Sequence, residues 1–482
     1  MSDSYWKLLE EARALRQTGE DQRAFMAYCD LLLLHPEAIE AWADFGYLQL
    51  ALNLQEDAHI AFANALAIDP DFPPALAGQG RVLLLRGMLE EAAAMLVQAL
   101  AVDSRLLEAR MDLARCHWKR GQLDEALVVL CTAAKQEPGN PVVSRFLIDI
   151  YIKRGMWPEL HQEMLRRANA DYAGAELAWE LCCVNLLFGA MPLGWNQHES
   201  RWSHPGLTNP RRDFPQPLWK GDALKGRTVL LHCEQGFGDT LMFVRYVPLV
   251  KQLGGRVILL VQPEVADLVA TCPGVDGVFS EEGSLPPFDV HLPMLSLPHV
   301  FQTDLASIPA AIPYLDVPER VPNQSDLCEH LARSQGRTRI AISWAGNPTH
   351  ARDAQRSLPP EALLPLQALP DVAWYAFQHG TTAVPPLPGL DALAPLLSNF
   401  SDSAYALSGM DLVITVDTAL AHLAGAMGIP TLLLVSYLPD WRWLMGREDS
   451  PWYPSLRIYR QTSAGEWDTV IRQVLTDLTT EA

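Results

Sequence analysis

The first 170 residues carry a pattern of turn-forming, small and helix-stopping positions that repeats every 34 residues. Small close-packing residues follow the turn residues by five places, and helix-stopping residues come twelve places later. The three columns are Gly19, Asn53, Gly87, Gly121 and Gly155; Ala24, Ala58, Ala92, Ala126 and Leu160; and Pro36, Pro70, Ser104 and Pro138. A turn, a close approach and a stop in that order predict successive pairs of antiparallel helices.

This grid resembles the tetratricopeptide repeat over about residues 5–170, with four full units and a degenerate fifth. One helical pair cannot bury its apolar face alone, so the resemblance implies a stacked α-solenoid. Its groove is expected to hold a protein or peptide partner, while a scaffold or dimerisation arm is the alternative. Asp69-Pro70-Asp71 is similar to the DxD metal motif of some sugar transferases, but it falls on a turn between repeats.

Residues 171–226 lose the 34-residue grid. Their first part, AELAWELCCVNLLFGAMPLGW, keeps helical apolar spacing and predicts a last helical pair that closes the solenoid. The following stretch is rich in Pro, Gly, Arg and Trp, which predicts an ordered but irregular connector. We expect Trp202, Phe214 and Trp219 to pack from it onto a neighbouring domain.

From Thr228 onward, short aliphatic runs alternate with amphipathic segments. Predicted strands are TVLLHC, RVILLV and FDVHLPM, then TRIAISWAG, VAWYAFQ, DLVITV and IPTLLLV. The segments between them predict helices, as do PPEALLPLQALP and the C-terminal residues. This order predicts two doubly wound α/β halves, at residues 227–335 and 336–482. Ligands in such sheets bind at the carboxyl ends of the strands.

Three loops at predicted strand ends carry candidate chemistry. The first contains Gly236, Gly238 and Asp239, where glycines would let a ligand approach the backbone. Asp239 has two interpretations, an N-terminal helix cap or a general base facing the cleft.

The other two loops carry candidates for binding a diphosphate. The second spans residues 343–357, and its candidate donor contacts are Ser343, Trp344, Asn347, Arg352 and Arg356. Guanidinium groups suit phosphate oxygens, although a solvated loop paired with Asp353 is the alternative. The third loop contributes Asp417, Thr418, Ala419 and His422, where the first two are placed to cap the next helix. A lone histidine on an apolar helix is often a core residue, and that alternative stays open for His422.

Together these three loops resemble the GT-B glycosyltransferases of the heptosyltransferase-like family. Segments Pro439-Asp440-Trp441-Arg442-Trp443 and Asp449-Ser450-Pro451-Trp452-Tyr453-Pro454 are similar to bacterial proteins that join tetratricopeptide repeats to that domain. The resemblance implies donor contacts at Asp417, Thr418, Ala419 and His422, and a general base at Asp239. Heptosyltransferases usually place a lysine in the second loop, where this chain has Arg352 and Arg356, so the donor's identity is in doubt.

The resulting expectation is metal-independent transfer of a hexosyl or heptosyl group from a nucleotide sugar to an acceptor hydroxyl. No cofactor is expected beyond the nucleotide sugar, a co-substrate, and no metal site. The acceptor is a protein or a glycan; the domain order is similar to that of O-GlcNAc transferases, which supports a protein acceptor weakly. The alternative is a non-catalytic repeat adaptor that binds a nucleotide or sugar and a protein partner. No G-x-S-x-G, H-E-x-x-H or P-loop motif supports a hydrolase.

Composition narrows the partners further. The chain has 37 Lys and Arg against 57 Asp and Glu, a net charge of −20, which disfavours bulk binding to nucleic acid. Its eight cysteines form no CxxC pair, and its N-terminus lacks a basic, apolar leader, so a reducing, cytoplasmic location is expected. No membrane span is predicted. The sequence leaves the oligomeric state open, with self-association through exposed solenoid faces as one outcome.

Overall fold

The chain folds into two compact units, Met1–Tyr172 and Ala173–Ala482. The structure, a computed structural model, describes residues 3–169, 175–203, 211–334, 336–350, 352–380 and 384–480. The predicted boundary between residues 170 and 171, connector residues 204–210 and Ala351 of the second loop lie outside the described residues.

The first unit is built from consecutive helices of 13 to 15 residues. They are α1 (Asp3–Gln17), α2 (Asp21–Leu34), α3 (Ile39–Ala51), α4 (Gln55–Ile68), α5 (Pro73–Leu85), α6 (Leu89–Val102), α7 (Leu107–Lys119), α8 (Leu123–Gln136), α9 (Pro141–Arg154) and α10 (Trp157–Asn169). Helices α2, α4, α6 and α8 each end two residues before a position of the stop column. After α2, α4 and α8 that position is proline, which disfavours helical geometry in the residue before it.

The 34-residue grid corresponds to one repeated backbone geometry. All five turn residues, Gly19, Asn53, Gly87, Gly121 and Gly155, have φ between 65° and 80°, the left-handed region that glycine and asparagine tolerate. The four alanines of the second column are fully buried, and Leu160 is 2% exposed. Both columns therefore do what the sequence predicted, and the α-solenoid of helical repeats is confirmed.

The second unit combines helices with parallel strands. Its helices are α11 (Ala175–Leu187), α12 (Met191–His198), α13 (Phe237–Phe243), α14 (Val247–Gln252), α15 (Ala266–Val269), α16 (Leu297–Val300), α17 (Gln324–Ala332), α18 (Asp353–Arg356), α19 (Phe400–Ser408), α20 (Ala419–Ala426) and α21 (Trp467–Thr480). Its strands are β1 (Thr228–His232), β2 (Arg256–Leu260), β3 (Gly277–Phe279), β4 (Val290–Pro293), β5 (Thr338–Ser343), β6 (Val372–Ala376), β7 (Asp391–Ala392), β8 (Leu412–Val416), β9 (Thr431–Val435) and β10 (Leu456–Arg460).

The strands form two sheets in which every pairing is parallel. The first has the order β3-β2-β1-β4 and the second the order β10-β9-β8-β5-β6-β7. Chain order therefore reverses beside the first strand of each sheet, between β1 and β4 and between β5 and β8. The two predicted α/β halves are confirmed, and these reversals are where a ligand crevice opens in such sheets.

One predicted role is corrected. Helices α11 and α12, predicted to close the solenoid, belong to the second compact unit and contribute to its core. Trp195 on α12 is 1% exposed, and its ring centroid lies 5.2 Å from that of Trp441 and 6.2 Å from that of Phe243. Helices α11 and α12 therefore pack as part of the α/β unit, because their apolar residues are buried against both of its halves.

Three further details differ from the sequence prediction. The segment Pro360–Ala368, predicted as an α-helix, is a 3₁₀ helix with Pro365 inside it, because proline cannot donate the α-helical hydrogen bond. Strands β3, β7 and β10 and helices α16, α17 and α18 were not predicted. In the connector, Trp219 is 2% exposed and Phe214 packs edge-on against Phe288, as expected for residues that anchor it.

Candidate functional site

The three predicted loops all leave strands beside the two reversals of strand order. The loop with Gly236 follows β1, the loop of residues 343–357 follows β5, and the loop with Asp417 follows β8. Ser343, the last residue of β5, is paired with Thr415, the next-to-last residue of β8, so their loops begin side by side.

A buried ion pair fixes the backbone that leads into the first loop. Arg201 is fully buried, and its Nε and Nη2 atoms donate to the two carboxylate oxygens of Glu234 at 2.8 and 2.9 Å. Arg201 Nη2 also donates to Ser296 Oγ at 2.8 Å, in the turn that follows β4. The loop after β1 is thus tied to the loop after β4 by a bidentate, charge-assisted pair.

Asp239 is engaged through both of its carboxylate oxygens. Oδ2 accepts the backbone N–H of Gly236 at 3.1 Å, which caps the start of α13 as one interpretation predicted. Oδ1 accepts a short hydrogen bond from Nη2 of Arg442, and the two side chains are 12% and 13% exposed. The predicted base therefore stands paired with a cation in this state.

Gly238 lies against His422 rather than beside open space. A β-carbon on Gly238 would stand 2.8 Å from Cδ2 of His422, closer than packed carbon atoms allow, and in ordinary contact, at 3.7 Å, with Cα of Ala419. The glycine is thus required by the close approach of α13 to α20, which joins the two halves.

His422 is an interior residue of that junction. It is 4% exposed, its Nδ1 lies 2.9 Å from the hydroxyl of Tyr453, and its ring stacks on Trp443 with centroids 5.2 Å apart. Burial, helped by the charge of Arg442, lowers its pKa to about 3. The imidazole is therefore neutral at physiological pH and supplies no positive charge to a ligand.

In the second loop, Ser343 and Trp344 are also interior. Gln378, which follows β6, accepts hydrogen bonds through Oε1 from Ser343 Oγ at 3.1 Å and from the backbone N–H groups of Trp344 and Ala345 at 3.0 and 2.9 Å. Trp344 is 3% exposed. Gln378 therefore ties the carboxyl ends of β5 and β6 together, a role that its sequence position did not reveal.

The rest of the second loop presents its polar groups outward. Asn347 Oδ1 accepts from the backbone N–H of Thr349 at 3.0 Å, a local turn, and Arg352 is exposed. Arg356 instead reaches across to the third loop, where its Nη1 donates to the carbonyl of Asp417 at 3.1 Å, while its Nε faces Asp353 Oδ1 at 3.2 Å.

The carboxylate of Asp417, in the third loop, lies near that of Asp440, which follows β9. Burial, and next the charge of Asp440, raises the pKa of Asp417 to about 6. Thr418 stands at the N-cap position of α20, but its side chain makes no capping hydrogen bond, so that part of the capping prediction is wrong. Ala419 is the first residue of α20.

Arg442 is the functional candidate to which the sequence analysis gave no role. It follows β9 at the same edge of the sheet, within the quoted Pro-Asp-Trp-Arg-Trp segment, and binds Asp440 as well as Asp239. An Asp-x-Arg at the carboxyl end of a parallel strand is the signal that could have marked it. Among the residues that the structure describes, no cluster of three or more His, Cys, Asp or Glu suits a metal ion.

The first unit carries a separate groove of about 510 Å³ on α7 and α9. Trp118 and Phe146 stand edge-to-face in it with centroids 5.4 Å apart, and Lys153 Nζ lies 3.9 Å from the centroid of the Trp118 ring. Three cationic residues and one carboxylate line it: Arg115, Lys119, Arg145 and Asp149. The groove is thus aromatic and basic in a chain that is acidic as a whole.

The two units match different known families. Residues 83–130 match the profile of the tetratricopeptide repeat, and residues 390–464 match that of glycosyltransferase family 9 (heptosyltransferase). Each unit therefore contains a segment that matches a known family. The family 9 match contains Asp417, His422, Asp440 and Arg442, whereas Asp239 lies outside the matched residues.

Individual relatives cover the chain in part. Protein FlbA of Caulobacter vibrioides is 28% identical over 325 residues, which cover 61% of this chain and 53% of FlbA. The chain thus spans about half the length of that curated relative. Among solved structures, PilF of Pseudomonas aeruginosa covers 42% of this chain and 93% of its own at 15% identity and a TM-score of 0.38. PilW, a type IV pilus biogenesis factor, covers 42% and 87% at 19% identity and a TM-score of 0.34.

All eight cysteines are free thiols. No helix in the described part of the chain is long and apolar enough to cross a membrane.

Proposed function

We propose that the second unit is a GT-B glycosyltransferase that moves a hexosyl or heptosyl group from a nucleotide sugar to an acceptor hydroxyl. One observation supports this above the others. Arg442 of the second half binds Asp239 of the first half, and its charge acts on the carboxyl group of Asp417, whose carbonyl accepts a hydrogen bond from Arg356.

The donor's diphosphate would lie at the start of α20. Arg356 reaches the carbonyl of Asp417 there, and Arg442 is close enough to influence the carboxyl group of that residue. Two guanidinium groups and the positive end of a helix dipole stabilise a leaving diphosphate without a metal ion. The nucleotide sugar is a co-substrate in this proposal, and no cofactor is required.

Asp239 would act as general base toward the acceptor. Its carboxylate would accept the proton of the acceptor hydroxyl as that oxygen attacks the anomeric carbon of the donor sugar. The bond from that carbon to the phosphate oxygen breaks, and the nucleoside diphosphate leaves with the electron pair, held by the arginines. Gly236, Gly238, Asn347, Arg352, Thr418 and Ala419 remain proposed donor contacts.

Ser343, Trp344 and His422 are better explained as supports of the donor site. Each is buried and bonded or packed within the protein, so their proposed effect on the donor runs through the loops that they hold in place.

The repeats are proposed to hold a protein or glycan acceptor or another protein partner. The groove on α7 and α9 offers aromatic faces and cationic side chains, a combination suited to an acidic segment that carries an apolar residue. Self-association through the solenoid remains an alternative use of the same surfaces. The eight free thiols support a reducing, cytoplasmic location.

The experiment that tests the transferase proposal is binding, then turnover, with purified full-length protein. UDP-, GDP- and ADP-sugars are screened by calorimetry, and the donor that binds is assayed for transfer and hydrolysis in wild type and Asp239→Asn. We expect binding of one donor class and loss of turnover in the variant. Asp449→Asn is the matched control, since that carboxylate is 71% exposed. No binding by any donor contradicts the proposal.

A non-catalytic adaptor is the second candidate, and the paired state of Asp239 favours it. Both oxygens of this carboxylate already accept hydrogen bonds within the protein, one from a guanidinium and one from a backbone N–H. Tight donor binding with no turnover on any acceptor would support the adaptor.

A further inference from the structure

Arg442 stands between carboxylates from both halves of the second unit. Its Nη1 donates to Asp440 Oδ1 at 2.7 Å and its Nη2 to Asp239 Oδ1. The backbone N–H of Arg442 also donates to Asp440 Oδ1 at 3.1 Å. Arg442 is therefore joined to Asp440, two residues away, by two hydrogen bonds. It is joined to Asp239, 203 residues away, by a single hydrogen bond between side chains.

The frame around this pair is held by other contacts. Gly238 packs on His422, and Arg245 of the first half donates to the carbonyl of Trp452 at 2.7 Å and to the hydroxyl of Tyr314 at 2.9 Å. Breaking the bond between Arg442 and Asp239 therefore leaves the two halves in contact, so a change in this pair is local.

Charge decides which partner Arg442 keeps when an anion arrives. The described carboxylates nearest to Arg442 already include Asp239, Asp440 and Asp417, and their charges raise its pKa although burial opposes this. A diphosphate at the start of α20 brings about two further negative charges and several acceptor oxygens to the same guanidinium. A dianion with a forked set of oxygens outcompetes a single carboxylate oxygen for N–H donors.

We propose that Arg442 is shared between Asp239 and the donor diphosphate, so that donor binding releases Asp239 from its ion pair. This rests on the proposed transferase function and adds its order of events. Without donor, the carboxylate of Asp239 is held in an ion pair with Arg442. With donor bound, Arg442 holds the diphosphate and Asp239 is an unpaired carboxylate that accepts the acceptor's proton.

Competition for one guanidinium has a signature in binding. UDP, GDP and ADP are titrated by calorimetry into wild type, Asp239→Asn, Arg442→Gln and the double variant. One of the three nucleoside diphosphates is expected to bind. Asp239→Asn removes the competing charge and is expected to raise the affinity for that nucleotide about fivefold. Arg442→Gln is expected to weaken it about tenfold, and the double variant to match Arg442→Gln.

Matched variants separate this effect from a loss of folding. Arg442→Lys keeps the charge and is expected to recover part of the affinity. Arg447→Gln removes a half-exposed arginine that pairs with Asp449 at 2.6 Å and is expected to leave the affinity unchanged. Circular dichroism melts of each variant accompany the titrations, and Asp239→Ser replaces Asp239→Asn if the latter does not fold.

The outcomes are distinct. If none of the three nucleotides binds, the transferase proposal fails. If one binds and Asp239→Asn leaves its affinity unchanged or weakens it, Arg442 is not shared and this inference alone is overturned.

Discussion

The imidazole of His422 occupies the space that a β-carbon on Gly238 would need. A methyl group there would stand 2.8 Å from His422 Cδ2, and the histidine cannot retreat because its ring is stacked on Trp443. A glycine in one half and a histidine in the other are thus complementary across the junction.

Gly238→Ala is therefore expected to lower the free energy of unfolding of the second unit by about 1–3 kcal/mol, the usual cost of overpacking. Thermal unfolding of the full chain measures it. Gly283→Ala is the matched control, since nothing lies within 4 Å of its added β-carbon. Equal melting of the two variants would mean that the junction yields freely.

A second prediction concerns acid. Burial lowers the pKa of His422 in the folded protein from 6.5 to about 3. Below pH 6.5 the unfolded chain therefore binds a proton at this histidine more tightly than the folded protein does. The contribution to stability is complete above pH 6.5 and is lost as the pH falls toward 3. Urea unfolding of wild type should show a fall in the free energy of unfolding between pH 7 and pH 5. In His422→Gln that fall should be smaller by about 2 kcal/mol.

Asp417 is expected to act with the opposite sign. Its pKa is raised from 3.8 to about 6, so its stabilising contribution is complete below pH 3.8 and is lost as the pH rises through 6. Asp417→Asn should therefore steepen the decline in stability from pH 7 to pH 5, measured in the same urea series. If both variants change the slope in the same direction, one of the two assignments is wrong.

The ion pair of Arg201 and Glu234 predicts an asymmetric mutant cycle. Arg201→Met leaves a buried carboxylate without its cation and should cost about 3–5 kcal/mol in chemical denaturation. Adding Glu234→Gln should restore part of that loss. The control is Lys251→Met, which breaks a half-exposed pair with Asp276 and should cost about 1 kcal/mol or less. Additive losses in the double variant would show that the pair is not coupled.

Substitution of a glycine in the turn column of the repeats is expected to strain the backbone without causing a steric clash. Gly121 has φ of 76° and nothing within 4 Å of an added β-carbon, so Gly121→Ala should cost about 1 kcal/mol through the backbone alone. Asn53→Gly, at φ of 66°, should be neutral or stabilising. Denaturation of the full chain followed by far-ultraviolet circular dichroism measures both, and equal effects of the two changes would contradict the geometric explanation.

Sequence periodicity predicted the parts of the fold that depend on residues close together in the sequence. The left-handed turns at Gly19 and Asn53, the buried alanines and most strands of both sheets follow from spacing alone. Strand β10 lies at the edge of its sheet, and its short sequence, LRIYR, has two arginines that interrupt an apolar run. Pro365 made a predicted helix a 3₁₀ segment for a reason that was legible in the sequence.

The candidate site was less accessible to sequence reasoning because its contacts are distant along the chain. The loops that bear Asp239, Arg356 and Asp417 were found from strand ends, but Arg442 and Gln378 act through bonds to residues 203 and 33–35 positions away. His422 belongs to the quoted motif, yet its neutral, buried state depends on Tyr453 and Trp443, which no spacing rule brings to it.

The burial of Trp195 has a consequence for how the second unit comes apart. Its indole is enclosed by Phe243 from one half and by Trp441 and Trp452 from the other, all within one continuous apolar core. Neither half can lose its structure without exposing this shared indole to water. Calorimetric unfolding of the second unit is therefore expected to give a single endotherm, with equal van't Hoff and calorimetric enthalpies, although its two sheets resemble separate folding modules.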